Sequence, residues 1–271
     1  MLQIHKIDSL ELPELGPYRT MRQQLEHRRQ QIFIAEGEKV VRRLLESQFT
    51  VVSVLLPEKW LHNLEPLLNA RAEQIHVYVA EKQILEKLTG FSMYQGVLAM
   101  GRIPSRATLE RVLKSSARPF LFAAVDGLAS AENLGVLVRN SVAFGVQALL
   151  VSETSSSPFL RRAVRSSMGT IFQLPVVELA DFGSALQDLR RQNIRCIAAH
   201  PHADRKMLSQ ADFTTDCCIV FGSEGYGISP KVLGLCAEAV AIPMSPGVDS
   251  LNVGSASAVF LYEANRQRGR S

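Results

Sequence analysis

Three loops in the second half of the chain concentrate the side chains that could do chemistry. The first, "VDGLASAENLGVLVRN" (125–140), carries the amide of Asn133 and the guanidinium of Arg139 after a strand that ends at Asp126. The second, "VFGSEGYGIS" (220–229), sets Ser223 and Glu224 among Gly222, Gly225 and Gly227. The third, "PMSPGVDSLN" (243–252), brings Ser250, Leu251 and Asn252 to the foot of a run of small residues, Gly254 to Ala258. Each loop leaves an apolar, strand-like run, and in open parallel sheets ligands gather beyond the carboxyl ends of the strands.

Taken singly, these residues have structural explanations. Asn133 fits a helix entry, and Glu224 could cap backbone amides in a glycine loop. Ser250 could be an N-cap and Asn252 a first-turn residue. Arg139 lies opposite the stripe of Leu134, Leu137, Val138 and Val142, a solvated position. The run from Gly254 to Ala258 suits close helix packing. The spacing at 222–227 argues against a dinucleotide loop, because the glycines run G-x-x-G-x-G and no acidic residue ends a following strand. A tight turn that lets backbone donors approach a ligand remains open.

Charge adds a second pointer. The chain has 271 residues, with 30 Lys and Arg against 26 Asp and Glu, a net charge of +4. The arginines are clustered: Arg102, Arg106, Arg111, Lys114 and Arg118 face only Glu110; Arg161, Arg162 and Arg165 crowd together; Arg266, Arg268 and Arg270 end the chain. A planar guanidinium grips phosphate bidentately, so such clusters suit nucleic acid, or otherwise a solvated surface. The cysteines, Cys196, Cys217, Cys218 and Cys236, form no ligand pattern and read as reduced core thiols of a cytoplasmic protein. The histidines are scattered, with His200 and His202 a weak pair on a loop, so no metal is expected. No apolar run approaches the roughly 20 residues of a membrane span, and the first residues do not read as a signal peptide.

The elements that must position these groups alternate along the chain. The first thirty residues read as a charged helix. Strands follow at "QIFIAEG", "FTVVSVLL", "IHVYVA" and "YQGVLAMGRI", separated by helical stretches, which makes residues 1–103 a small α/β domain. Residues 104–118, between Pro104 and Pro119, read as a basic linker with a short helix. Residues 119–271 alternate again, with continuous apolar strands at "FLFAAVDG", "VQALLVS", "IRCIAAH", "CCIVFGSEG" and "AVAIPM" that indicate a mainly parallel sheet covered on both faces. Helices are expected at about 131–145, 158–168, 182–193, 229–238 and 250–268, with Ser229-Pro230 as a capped start.

Together and in this order, the three loops resemble the motifs of SpoU-type RNA ribose 2′-O-methyltransferases, members of the knotted SPOUT superfamily. "ENLGVLVRNSVAFGV" resembles the first motif, "VFGSEGYGIS" the second and "IPMSPGVDSLNVGSASAVFLYEANRQ" the third. "RSSMGTIFQLPV" (165–176) resembles the segment that follows the second strand of these enzymes. "FIAEGEKVVRRLLES" and "YQGVLAMGRIP" are similar to the ends of the small, ribosomal-protein-like RNA-binding domain that often precedes the catalytic one. The first motif departs in reading "GLASAEN" where an Asp-Pro or Asn-Pro pair often stands, and Thr170 replaces a common alanine; neither alters a side chain assigned to chemistry.

The resemblance implies a deep trefoil knot, a homodimer and S-adenosylmethionine as cofactor. It implies methylation of a ribose 2′-hydroxyl in structured RNA, with large-subunit rRNA favoured and transfer RNA the alternative. Arg139 is implied to activate the hydroxyl. Because a guanidinium has a pKa above about 12, anchoring phosphate and stabilising alkoxide charge costs less than acting as a base. Asn133 is implied to position Arg139 or the ribose, Glu224 to organise the second loop, and Ser250 and Asn252 to fix the third. Gly222, Ser223, Gly227, Ile242, Met244 and Leu251 are implied to contact the cofactor, and Arg161, Arg162 and Arg165 to contact RNA. A non-catalytic RNA-binding or ribosome-assembly factor is the rival from another class, and an antibiotic-resistance methyltransferase would share the chemistry.

Overall fold

The computed structural model describes residues 2–89, 96–201 and 206–269. Tyr94, Gln95, His202 and Arg270, named above, lie outside them. The chain divides into two compact units, one of Met1–Ser105 with Phe159–Phe172 and one of Arg106–Pro158 with Gln173–Ser271.

In the first unit the elements run β1 (Leu2–Lys6), α1 (Gly16–Arg19), α2 (Gln24–Arg29), β2 (Ile32–Glu36), α3 (Glu38–Leu45), β3 (Val51–Leu56), α4 (Glu58–Asn69), β4 (Ile75–Val79), α5 (Lys82–Thr89) and β5 (Leu98–Arg102). The sheet order is β1-β4-β3-β5-β2. β1, β4 and β3 are parallel, and β5 is antiparallel to β3 and β2. In place of the expected opening helix, Leu2–Lys6 form a strand. Leu2 and Ile4 alternate with Gln3 and His5, a period-two pattern too short to stand out beside the charged run that follows. Pairing with β4 makes it a strand, an outcome that non-local partners commonly impose. Tyr18, Ile34, Leu55 and Leu98 lie in the core of this unit.

The second unit contains α6 (Leu109–Ser115), β6 (Leu121–Val125), α7 (Ala131–Ala143) and β7 (Ala148–Val151). The next helix, α8 (Arg161–Ser166), belongs to the first unit. The second then resumes with β8 (Val176–Glu178), α9 (Phe182–Arg191), β9 (Arg195–Ala199), β10 (Cys217–Phe221), α10 (Pro230–Leu233), β11 (Glu238–Val240) and α11 (Val253–Gln267). The six-stranded sheet has the order β11-β9-β10-β6-β7-β8. Every adjacent pair is parallel, as the continuous apolar runs predict.

On one face, Phe122, Ala124, Cys196 and Val220 pack with Val112 of α6, Leu186 and Leu189 of α9 and Val232 of α10. Side chains alternate along a strand, so Phe221 points to the opposite face, where its ring meets Phe260 of α11 edge-on at 6.0 Å. Ser229 caps α10 by accepting from the Val232 amide, with Pro230 in the first turn. α10 is one turn long, ending well short of the expected 238, because Glu238–Val240 is drawn into the sheet as β11. β8 was not anticipated; three residues at a sheet edge leave no apolar run to read.

The small residues that open α11 have a use inside this unit. A Cβ on Gly254 would stand 2.8 Å from Val136 Cγ1 of α7. Asn140 of α7 donates to Gly254 O at 2.8 Å and to Ser257 Oγ at 2.9 Å. α11 thus lies against α7 too closely for a larger side chain at 254.

Candidate active site

Beyond the carboxyl ends of β9, β10 and β11, the second and third loops enclose a cavity of about 520 Å³ with the start of α11. β10 ends at Phe221, and the next position must be glycine. A Cβ on Gly222 would lie 2.1 Å from the carbonyl carbon of Gly227 and 2.2 Å from the Ile228 nitrogen. This approach closes the turn: Ser223 N–H donates to Gly227 O at 2.9 Å and Gly227 N–H to Ser223 O at 3.1 Å. Gly227 adopts φ +67°, a region that side chains disfavour.

Three side chains from the three loops form one hydrogen-bonded chain. Asn252 Nδ2 donates to Asn133 Oδ1 at 3.1 Å, and Asn133 Nδ2 donates to Glu224 Oε1 at 2.9 Å. At its far end Asn252 Oδ1 accepts from Gly254 N–H at 2.8 Å, which makes it the N-cap of α11. Glu224 Oε1 also accepts from Ser130 N–H at 3.2 Å, at the start of α7, where the helix dipole favours an anion. Ser130 caps that helix by accepting from Asn133 N–H at 3.2 Å. Burial acts to raise the Glu224 carboxyl, but the hydrogen bonds from Asn133 and from the backbone of Glu224, Ser130 and Ala129 outweigh it and hold the carboxyl below its ordinary range. Glu224 is therefore an anionic clamp between two loops at neutral pH.

Gly222, Ser223, Gly227, Ile242, Met244 and Leu251 all line the cavity, as do Glu224, Ser250 and Asn252. Asn133 is joined to the site through its two partners. Arg139 is exposed on α7, six residues and so about 9 Å along the axis from Asn133. It is not among the lining residues, and no hydrogen bond or ion pair holds its guanidinium among the described residues. Arg161 and Arg165 lie in the first unit, where both guanidinium groups engage the buried carboxylate of Glu36, Arg165 at 2.9 Å. Arg162 is exposed beside them.

Sequence reasoning missed the contribution of β9. Ala199, His200 and Pro201 line the cavity, because β9 lies between β10 and β11. The polar end of "IRCIAAHP" was a signal, but strand order is not written in local pattern. Tyr226 and Asp249 also line the cavity and were not singled out. Among the described residues, no group of three or more His, Cys, Asp or Glu is placed to hold a metal ion. No described helix is long and apolar enough to cross a membrane.

The model of the SpoU rRNA methylase family matches residues 121–262. The chain belongs to that family. A model of the MRM3-like substrate binding domain matches residues 17–99. An uncharacterized tRNA/rRNA methyltransferase of Mycobacterium tuberculosis is 33% identical over 239 residues, spanning 87% of this chain and 81% of that protein. The 23S rRNA (guanosine-2′-O-)-methyltransferase RlmB of Escherichia coli is 30% identical over 209 residues, 76% of this chain and 85% of its own. In fold, the chain is similar to the SpoU methyltransferase AviRb from Streptomyces viridochromogenes, solved in complex with AdoMet, with a TM-score of 0.82, 24% identity and coverage of 94% and 98%. The family match contains all three loops, so the Asn133–Glu224–Asn252 chain lies wholly within the methylase portion.

Proposed function

We propose that this SpoU-family methyltransferase moves the methyl group of S-adenosylmethionine to a ribose 2′-hydroxyl of structured RNA, with large-subunit rRNA as substrate. One observation carries the reading: Asn133, Glu224 and Asn252, from three loops far apart in sequence, are linked beside a single cavity. The cavity suits the cofactor. Its volume lies within the roughly 300–1,000 Å³ of small-molecule sites, Phe221, Ile242 and Met244 offer apolar surface, and the Glu224 and Asp249 carboxylates suit a cation.

When bound, the cofactor supplies an electrophilic methyl group on a sulfonium. The protein's task is to place the 2′-oxygen in line with it and to manage the charge that develops as the proton leaves. Arg139 anchors the neighbouring phosphate and stabilises the alkoxide. That no partner engages its guanidinium among the described residues supports that role. Glu224, as an anion held low by its donors, is a weak proton acceptor and serves to fix Asn133. Asn252 and Ser250 set the third loop around the cofactor.

The match of residues 17–99 supports a division in which residues 1–103 hold RNA, residues 104–118 connect and residues 119–271 carry catalysis. Arg162, with Arg161 and Arg165 arrayed around Glu36, adds positive charge on the RNA-binding side. The family match supports a trefoil knot near the third loop. The exposed Val136, Val259 and Tyr262 on α7 and α11 support pairing of two copies through that face. An rRNA substrate agrees with a cytoplasmic location.

The test is to incubate the protein with labelled S-adenosylmethionine and unmodified rRNA or tRNA transcripts, then map resistance to alkaline cleavage. The expected result is label at a single ribose of large-subunit rRNA with wild type and none with Arg139→Ala. Label on tRNA alone would reassign the substrate, and no label on any RNA would favour a non-catalytic binder.

A further inference from the structure

Tyr226 stands at the tip of the turn between Gly222 and Gly227, with 98% of its surface exposed. Among the described residues no ring contact, ion pair or hydrogen bond engages its side chain. Its backbone, by contrast, is tightly held. Tyr226 N–H donates to Ser223 Oγ at 3.2 Å, and the reciprocal Ser223–Gly227 bonds close the turn on either side. The same residue borders the cavity that also takes in Glu224 and Asn252. A fixed turn thus presents an unused aromatic ring to solvent at the mouth of the site. A ring placed to stabilise the fold would be buried, since aromatic side chains contribute through the area they remove from water.

The ring matches a need created by the reaction proposed above, on which this inference rests. To bring a ribose 2′-hydroxyl into a cavity, the nucleotide must lie in an unpaired segment or leave its stack, and a base then loses a stacking neighbour. We propose that Tyr226 supplies that neighbour, its ring stacking on a nucleobase of the RNA substrate at the cavity mouth. Stacking tolerates any base, because each has a π-face. Tyr226 therefore holds the nucleotide in place, and base identity is read elsewhere. Fixing the turn in advance means that little freedom is lost when the base arrives.

The test compares Tyr226→Ala, Tyr226→Phe and Tyr226→Trp in the full chain, measuring steady-state methylation of an unmodified large-subunit rRNA transcript, affinity for that transcript by filter binding, and affinity for S-adenosylmethionine by calorimetry. Tyr226→Ala is expected to weaken RNA binding and lower kcat/KM by roughly 5- to 150-fold, the worth of one stacked base. Phe and Trp restore both, and cofactor affinity is unchanged throughout. RNA affinity unchanged in the alanine variant overturns the proposal. So does an equal loss in Tyr226→Phe, which would assign the effect to the hydroxyl, or a parallel loss of cofactor affinity. If wild type binds the transcript without methylating it, the catalytic reading fails while filter binding still decides the role of Tyr226.

Discussion

Two arginines of the second unit are put to opposite uses. Arg268, just past α11, is consumed by the fold. Its guanidinium donates to the carbonyls of Phe213, Pro119, Phe120 and Thr215 at 2.7–2.8 Å and reaches Cys217 Sγ at 3.4 Å. Those acceptors surround the amino ends of β6 and β10. Arg139, on the helix that follows β6, has no such partners among the described residues. The fold thus locks the amino-terminal edge of the sheet with the Arg268 donors and leaves the Arg139 guanidinium, exposed on α7, without a partner among the described residues. Arginine content alone does not reveal a nucleic-acid surface. What matters is which guanidinium groups the fold has already satisfied.

The sharpest way to break this contrast is to remove each arginine and read activity and stability together. Arg139→Ala should lower kcat/KM by about 10²- to 10³-fold, the scale of losing one electrostatic stabiliser, with stability within about 0.5 kcal/mol of wild type in urea. Arg268→Ala should do the reverse. Leaving several carbonyls unpaired should cost about 2–4 kcal/mol in urea unfolding, while the folded fraction keeps its turnover. An activity loss in Arg268→Ala that stability does not explain would erase the distinction.

The packing behind the third loop sharpens the same picture. Gly254→Val should cost about 1–3 kcal/mol, since its Cβ would meet Val136 and the Asn252 side chain at 2.8 and 3.0 Å. Turnover should fall further than the folded fraction, because Asn252 caps this helix and also reaches Asn133. Equal losses in both would leave Gly254 with a packing role alone.

Much of this arrangement could be read from residue types. Continuous apolar runs marked the parallel strands, and the polar, glycine-rich loops marked their carboxyl ends. Glycine at 222 and the slim start of α11 signalled close approaches, which prove to be a turn closing on Gly227 and a helix lying against α7. Other features were illegible because they depend on partners distant in sequence. β1 is a strand through its pairing with β4. β9 contributes to the cavity through its place between β10 and β11. Clusters at 161–165 and 266–270 look alike as phosphate grips, yet Arg161 and Arg165 converge on Glu36, and Arg266 pairs with Glu263 at 2.7 Å. Nor could a lone Glu224 disclose that Asn133 and the amide of Ser130 would hold it as an anion.

That last point yields the smallest expected effect. The folded Glu224 carboxyl titrates below its ordinary value of 4.5, so the folded state binds fewer protons than the unfolded chain in that range. Its contribution to stability is complete above about pH 4.5 and is lost as the pH falls through the depressed folded value. Asn133→Ala should remove the main hydrogen bond holding it low, flatten this part of the acid-unfolding curve and lower kcat about tenfold, the scale of losing one net hydrogen bond. An unchanged acid profile would mean that the Asn133 bond has little bearing on the Glu224 charge.

The most direct test of the whole account is where the methyl group lands. An unmodified large-subunit rRNA transcript treated with the protein and S-adenosylmethionine can be digested to nucleosides and analysed by mass spectrometry. One nucleoside carrying its new methyl group on the ribose is the predicted product. A methylated base would contradict the account, and so would a transcript unchanged under conditions where the cofactor is bound.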